Sequence, residues 1–599
     1  MKKKYLICEV ANSHNGNKNN LLNLIKSLSK VKYNNLGVKF QIISDSFLSV
    51  KGYKWHETYK KLYLNEKTWK KIINFSSQEL DVWLDIFDVY GAKILKENLK
   101  KVHGIKLQSS VLSNNELLEE LKKIDLRRKK ILINIAGHGI DEVKKIINNL
   151  NLIFKNKPII QLGFQDYPTL EKDIHLNKIF KLKSFFKKFK IGFADHLSFN
   201  NKNFTILPSM GFYLGYDYME KHICLNRSKS KYDFQSAAEI KEIKNIIKFI
   251  KKKNYFSKNF LKRFYRYDFN SFKEKEYLRK TILQPLVSKN MKRNSLISTD
   301  NLIYRRTHQE GLNLDEINEI VKKKYILSKN VRKFSTLKNS SFKKAKIGVI
   351  VACRMKSSRL KGKALRKIYK KISVQRCLDS CLNIKSAKTI ILATSHLKSD
   401  DKIAKLKLNK KFKIFRGHPD DVIDRYIKAA KKHHIDTIIR VTADCPYVSY
   451  EIVDHLVQSH FNAGADFTFA TKAAPGTTAE IYNLKTLQYI KTKTSNTNLS
   501  EYMTWYVMNN QKYFKINEVN LPSTLVRNYR LTLDYDEDLE LFNVLYKKLH
   551  TKKMKTNLKN IFKIMDQNSN YEKINKNCKL IFKTDKKLIN HLNANTRFA

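Results

Sequence analysis

A (β/α)8 barrel followed by an open, doubly wound α/β domain is the architecture this sequence predicts, so the fold class is α/β in both halves. Three observations carry it. Short β-branched runs alternate with amphipathic helical patterns from Lys4 to about Lys253. Eight such strands with helices between them over about 250 residues is the pattern of a closed parallel barrel. The alternation lapses in a Lys- and Ser-rich stretch, "RKFSTLKNSSFKKAK", and resumes at Lys346 with new motifs.

The barrel strands, in chain order, are read as "YLICEVA", "LGVKFQI", "VWLDIFDV", "GIKLQS", "KILINIAG", "PIIQLGFQ", "FKIGFADH" and "YDYMEKHICL". Between most of them lie segments such as "NNELLEELKKI" and "IDEVKKIINNL", with apolar residues at helical spacing. Chemistry in such barrels sits where strands end. Here those ends carry Glu9, Lys39, Gln41, Asp88, Lys106, Asp166, His196 and His222, and packing alone does not explain polar residues repeated at the last positions of apolar strands. The barrel is expected over residues 1–265, a small loop-rich domain over 270–335 and a linker over 336–345. The second α/β domain, 346–550, is built from "IGVIVA", "TIILATS", "FKIFRG", "TIIRVTADCP", "ADFTFAT" and "YRLTLDYDEDLEL". Residues 551–599 read as a Lys/Asn-rich tail of weak apolar periodicity, with no chemistry assigned.

Composition bounds the function. Hydrophobic residues make up 42% of the chain, enough for real cores rather than wholesale disorder. No run of 18 uninterrupted apolar residues occurs, so no membrane partner is indicated, and the short apolar run after "MKKK" lacks a small-residue cleavage site. A cytoplasmic location is therefore expected. Seven scattered cysteines offer no zinc spacing and read as reduced, buried thiols. The net charge is 118 − 54 = +64. Lysines are spread over nearly every segment rather than gathered in a patch, and no interleaved aromatic and basic motif appears. A nucleic-acid partner is set aside on that ground, while anionic small substrates suit the field.

In the second half, "CRMKSSRLKGKAL", "ATS", "FRGHPDDVIDRY", "RVTADCP" and "LTLDYDEDLEL" follow one another in an order that closely resembles the cytidylyltransferases of the spore-coat-polysaccharide and acylneuraminate kind, over about Lys346 to Leu549. Nucleotidyl transfer needs a cationic cradle for the triphosphate, which Arg354, Arg359 and Lys363 can supply. It also needs a divalent cation on hard carboxylates. Asp444 and Asp534, expected at the ends of the strands "IIRVTA" and "YRLTL", match the family's metal positions, implying Mg2+. The resemblance places Ala393, Thr394 and Arg425 around CTP and Glu480 at the sugar. Lys356 and Lys361 stand where the family has Gly and Pro.

In the first half, "CEVANSHNGN", "GVKFQ", "GIKLQSS", "QDYPT", "FADH" and "MEKHICLNRSKSKYDFQSAAE" occur in the order of the sialic-acid synthase family, and "LIYRRTHQEGL" resembles its antifreeze-like domain. The resemblance implies condensation of phosphoenolpyruvate with an acylamino-hexose. It assigns His196 and His222 to a metal, normally Mn2+, and Lys39, Lys106 and Ser109 to phosphoenolpyruvate. Glu9, Gln41, Asp166 and Asp233 would contact the acceptor or move protons. Arg306 would reach the neighbouring subunit's site, implying a homodimer. Asp85, Ile135 and Ala194 occupy places where the family has small hydroxylated residues for the phosphate, and Phe234 replaces a frequent His. The whole reading is a bifunctional enzyme that makes a sialic-acid-like nonulosonic acid and couples it to CMP. The alternative is an active cytidylyltransferase behind a degenerate sugar-binding or scaffold barrel.

Overall fold

The computed structural model describes residues 4–164, 167–252, 255–266, 268–494, 499–580 and 584–598. They gather into two compact units, one spanning Met1–Lys289, Thr299–Leu314 and Arg332–Leu337, the other Asn290–Ser298, Asp315–Val331 and Lys338–Ala599. The segment read from sequence as one small domain thus contributes to both.

In the first unit β1 (Tyr5–Glu9), β2 (Leu36–Ile42), β3 (Asp81–Ile86), β4 (Val102–Leu107), β5 (Lys130–Asn134), β6 (Ile159–Leu162), β7 (Ile191–Asp195) and β8 (Tyr218–His222) close in sequence order into an all-parallel barrel. All eight coincide with the runs read from the sequence. Both faces of each strand are covered, so the strands are near-continuous apolar runs. Helices close the outside; Ile240–Lys251 buries Ile243, Ile246, Ile247 and Ile250, one stripe at helical spacing. Inside, Tyr5, Ile7, Trp83, Leu132, Ile159 and Tyr218 fill the N-terminal end of the barrel. Trp83 has room because Gly37 and Gly104 face it; a Cβ at either would lie within 2.8 Å of its ring. The next inward positions are polar, and they form the site. Beyond the barrel, β9 (Gln284–Val287) pairs antiparallel with β10 (Leu302–Arg305).

The second unit contains β11 (Tyr325–Leu327) paired with β12 (Phe342–Lys344), the latter inside the stretch expected as linker. Its sheet follows from β13 (Ile347–Ala352), with a minor ribbon of β14 (Lys367–Ile368) and β15 (Lys371–Ile372) beside it. It continues with β16 (Thr389–Ser395), β17 (Phe412–Gly417), β18 (Thr437–Thr442), β19 (Phe467–Phe469), β20 (Glu480–Asn483) and β21 (Ile516–Glu518). The order is β17-β16-β13-β18-β20-β19-β21. The four strands β17, β16, β13 and β18 are parallel, whereas β20 runs antiparallel to both neighbours, so the domain is a mixed α/β sheet.

Two sequence expectations need correction. "YRLTL" forms no ladder: Leu531 N–H donates to the Pro475 carbonyl and Leu533 N–H to the Asp444 carbonyl, both at 2.8 Å. The segment is extended but bonded to two different stretches of chain. The tail is also more ordered than its composition suggests. Helix Leu558–Asp566 buries Leu558, Ile561, Phe562, Ile564 and Met565, and Phe598 packs on Tyr489, Tyr513 and Phe514.

Candidate functional sites

In the barrel, alternation along each strand turns one residue in two inward. Glu9, Lys39, Asp85, Lys106, Asn134, Gln161 and Glu220 thereby form one buried polar layer above the aromatic plug. Lys39 touches Glu9 and lies 2.9 Å from Asp85 and 3.3 Å from Glu220. Lys106 donates to Glu220 at 2.8 Å. The other Glu220 oxygen accepts from Gln161 at 2.8 Å, and Gln161 Oε1 accepts from Asn134 at 3.3 Å. Burial pulls Lys39 below its ordinary value, with Asp85 and Glu220 offsetting part of the effect. For Lys106 the same burial is outweighed by Glu220 and Asp85, so its pKa rises. Burial favours a neutral Glu220, yet Lys106 and Lys39 hold it well below the carboxylate range. The layer is a set of paired charges, each dependent on its partners.

His196, directly after β7, and His222, at the end of β8, meet with ring centroids 5.0 Å apart. Each of His196, Glu220 and His222 brings a ligand atom within 4.8 Å of the others. Burial lowers His196 to about 4, and burial followed by repulsion from His196 takes His222 well below the ordinary range, so both imidazoles are neutral. His196 Nδ1 donates to the Phe164 carbonyl at 2.5 Å, which leaves Nε2 for a ligand. His222 Nδ1 is buried without a hydrogen-bond partner among the described residues. Two neutral imidazoles, one with an orphan nitrogen, fit a borderline divalent ion such as manganese. Glu220, both of whose oxygens are engaged, is a weaker third ligand.

The other sequence-derived residues fall around this layer. Ser109 is buried after β4, and Gln41 is half-buried opposite Asp85 in the β2–β3 register. Asp233 adopts φ 51° and accepts from Asn12 N–H and Nδ2 at 3.1 and 2.8 Å, while burial raises its pKa. Ile135 and Ala194 are buried and offer no polar side-chain atom. Asp166 lies outside the described residues. Asp88, noted at a strand end, caps the helix Val89–Asn98 by accepting from Gly91 N–H at 2.9 Å. Arg306 lies against its own chain: Nη1 donates to Tyr59 Oη at 2.6 Å, Nε to the Thr281 carbonyl at 3.0 Å, and its backbone pairs with Ser49. Sequence reading missed Gln108, Gln161 and Glu220. The last was within reach, because it stands two residues before His222 on the same strand and must share its face.

In the second unit, the loop after β13 brings Lys363 Nζ to 2.7 Å from Asp444 and 3.0 Å from Asp534. Arg359 and Arg530 approach Asp534 at 2.8 and 3.0 Å. Burial pushes Lys363 down, but Asp444 and Asp534 outweigh it and raise its pKa. Burial likewise favours a neutral Asp444, and Lys363 holds it below the usual range. Two carboxylates converging on one ammonium offer the hard oxygen donors magnesium takes, so these residues fit the ion. Arg530 was missed; it also bonds Asp538 at 2.8 Å and so ties the Asp534 segment to the next helix.

Ala393 and Thr394 lie near the end of β16, both fully buried, and Thr394 Oγ1 has no hydrogen-bond partner among the described residues. That orphan hydroxyl suits a nucleotide contact. Arg425 is also buried, but its guanidinium donates to the carbonyls of His418 and Pro419. Arg354 reaches the same Pro419 carbonyl at 2.7 Å. Both arginines thus clamp one turn, Arg425 through Nε and Nη2. Glu480 pairs across the β18–β20 register with Arg440 at 2.8 Å and accepts from Thr504 at 2.6 Å. Lys356 and Lys361 are exposed.

Gly476, at φ 91°, lets the 531–534 segment close, since a Cβ there would collide with the Leu531 carbonyl. Gly476→Ala is expected to destabilise this unit by about 1–3 kcal/mol and to slow nucleotidyl transfer by displacing Asp534. Chemical denaturation and pyrophosphate release measure the two effects.

A barrel with paired lysines and a histidine pair at its C-terminal mouth defines a synthase-type half, and a sheet with a cationic loop facing two carboxylates defines a nucleotidyltransferase half. Residues 348–589 match the family described as cytidylyltransferase, and residues 36–260 match the NeuB family. The spore coat polysaccharide biosynthesis protein SpsF of Bacillus subtilis is 32% identical over 205 residues, which cover 33% of this chain and 85% of the relative. The chain belongs to the cytidylyltransferase family and carries a NeuB family domain ahead of it; both are families of transferase enzymes. Among solved structures, the spore coat polysaccharide biosynthesis protein spsE of B. subtilis is similar at 17% identity and TM-score 0.47, over 57% of this chain and 95% of that one. The N-acetylneuraminic acid (sialic acid) synthetase of Leptospira borgpetersenii is similar at 22% identity and TM-score 0.37, over 41% and 82%. No described helix is long and apolar enough to cross a membrane.

Proposed function

We propose that the chain makes a nonulosonic acid in its barrel and activates that acid with CTP in its second unit. The observation that carries the reading is the pairing in one chain of a NeuB family barrel with a cytidylyltransferase, because the first product is the second acceptor.

In the barrel, Lys39 and Lys106 bind the phosphate and carboxylate of phosphoenolpyruvate, and Ser109 borders them. Its C3 bonds to the aldehyde carbon of an acylamino-hexose, water adds at C2, and phosphate leaves, giving a nine-carbon 2-keto acid. His196 and His222 would hold a divalent ion whose Lewis acidity polarises the aldehyde oxygen. Glu9, Gln41 and Asp233 face the acceptor, with Asp166 in the same assignment. Arg306 would serve the neighbouring subunit's site in a homodimer. In the second unit Arg354, Arg359 and Lys363 cradle the triphosphate while Ala393 and Thr394 border the nucleoside. Glu480, held by Arg440, contacts the sugar. The anomeric hydroxyl oxygen attacks the α-phosphorus, pyrophosphate leaves and the hydroxyl proton is released. Asp444 and Asp534 would hold a magnesium ion that neutralises charge on the leaving group.

A second reading keeps only the nucleotidyl transfer, and the Asp85–Lys39 pair favours it by occupying a lysine the donor needs. Supplying CTP, magnesium and a panel of nonulosonic acids tests the activation step: CMP-sugar and pyrophosphate are expected, and their absence across the panel contradicts it. The barrel ion has its own readout. Replacing both His196 and His222 by Ala is expected to abolish manganese retention, measured by metal analysis of dialysed protein, with the barrel still folded.

A further inference from the structure

Asp85 is a carboxylate that neither the lysine grip nor the histidine pair requires. It is fully buried on β3. Its Oδ2 accepts from Lys39 Nζ at 2.9 Å and Gln108 Nε2 at 2.7 Å, and lies 3.9 Å from Lys106 Nζ. Its Oδ1 is buried with no hydrogen-bond partner among the described residues. Glu9 and Glu220 already supply each lysine with a counter-charge. Three carboxylates therefore meet two ammonium groups, and the surplus charge is the one bridging toward both. An anion placed on these lysines meets Asp85 at contact distance, in surroundings where like charges repel strongly. Ile135 and Ala194 add no donor that could compensate.

We propose that Asp85 is a resident anion that sets the affinity and selectivity of the donor site. It occupies the lysines in the resting barrel. A donor bearing phosphate and carboxylate together engages both lysines and displaces it, whereas lone phosphate, the released product, does not hold its place. Asp85 thus acts on the donor through Lys39 and Lys106 and favours release of phosphate. This rests on the reading that the two lysines grip a phosphate-bearing donor.

The test is calorimetric titration of the full chain and of Asp85→Asn with phosphoenolpyruvate and with inorganic phosphate at fixed ionic strength. The amide keeps the shape and the bond from Lys39; should that variant fail to fold, as judged by thermal melting, Asp85→Ser replaces it. Phosphoenolpyruvate is expected to bind both forms, with phosphate bound at least about tenfold more tightly by the variant, a shift of about 1.4 kcal/mol. Equal or weaker phosphate binding by the variant, with phosphoenolpyruvate still bound, overturns the role of Asp85 and leaves the donor reading intact. No phosphoenolpyruvate binding by either form overturns both.

Discussion

Asp444→Asn is expected to lower CMP transfer by about 10²–10³-fold or more, the scale on which a single charge-stabilising group contributes at a reacting centre. The amide can still accept from Thr442, which now donates to Asp444 Oδ1 at 2.5 Å, so the local fold should survive. What is lost is one of the two carboxylates that converge on Lys363. Pyrophosphate release measures the effect, and phosphate release by the barrel, assayed on the same sample, should stay unchanged. A variant with near-normal transfer would remove Asp444 from the site.

Lys106→Met should give the largest effect on stability. It strips Glu220 of its nearest cation inside a layer closed to water. Breaking a buried pair from one side costs about 3–5 kcal/mol, because a charge is left uncompensated. Three of the four tryptophans, Trp55, Trp69 and Trp83, lie in the barrel unit, so urea unfolding followed by fluorescence reports on it. Adding Glu220→Gln should recover much of the stability but none of the donor binding, which separates the two roles of Lys106. The pH dependence has a definite sign. The folded pKa of Glu220 lies below its unfolded value, so its contribution is present above about pH 4.3 and is lost as pH falls. Lys106→Met should therefore flatten the acid limb of the stability profile. A loss under about 1 kcal/mol would mean that Lys39 and Gln161 already satisfy Glu220.

Much of this was legible in the chain itself. The eight barrel strands stood out because strands covered on both faces are apolar runs ending in polar residues. The lysine and histidine positions followed from those ends. The pairing did not, since nothing local says that Lys39 and Lys106 share Glu220, which reaches them from the far side of the barrel closure. Gln161, a lone amide within "IIQLG", was the available hint. "YRLTL" misled because Leu531 and Leu533 are fully buried like strand residues while their N–H groups find two unrelated acceptors. Arg425 shows what motif position leaves out: nothing local says that its Nε and Nη2 also bond the carbonyls of His418 and Pro419. In the tail, Lys559 and Lys563 among Leu558, Ile561, Phe562, Ile564 and Met565 hid a helix whose apolar face is continuous.

The measurement that tests the central claim most directly is a one-pot mass assay. Purified protein receives isotope-labelled phosphoenolpyruvate, manganese, magnesium, CTP and a panel of acylamino-hexoses. A CMP-linked nine-carbon acid carrying the label is the expected product, and its mass names the acceptor. Conversion of supplied nonulosonic acids to CMP-sugars, with no label incorporated from phosphoenolpyruvate across the panel, would contradict a working barrel and leave nucleotidyl transfer as the activity of the chain.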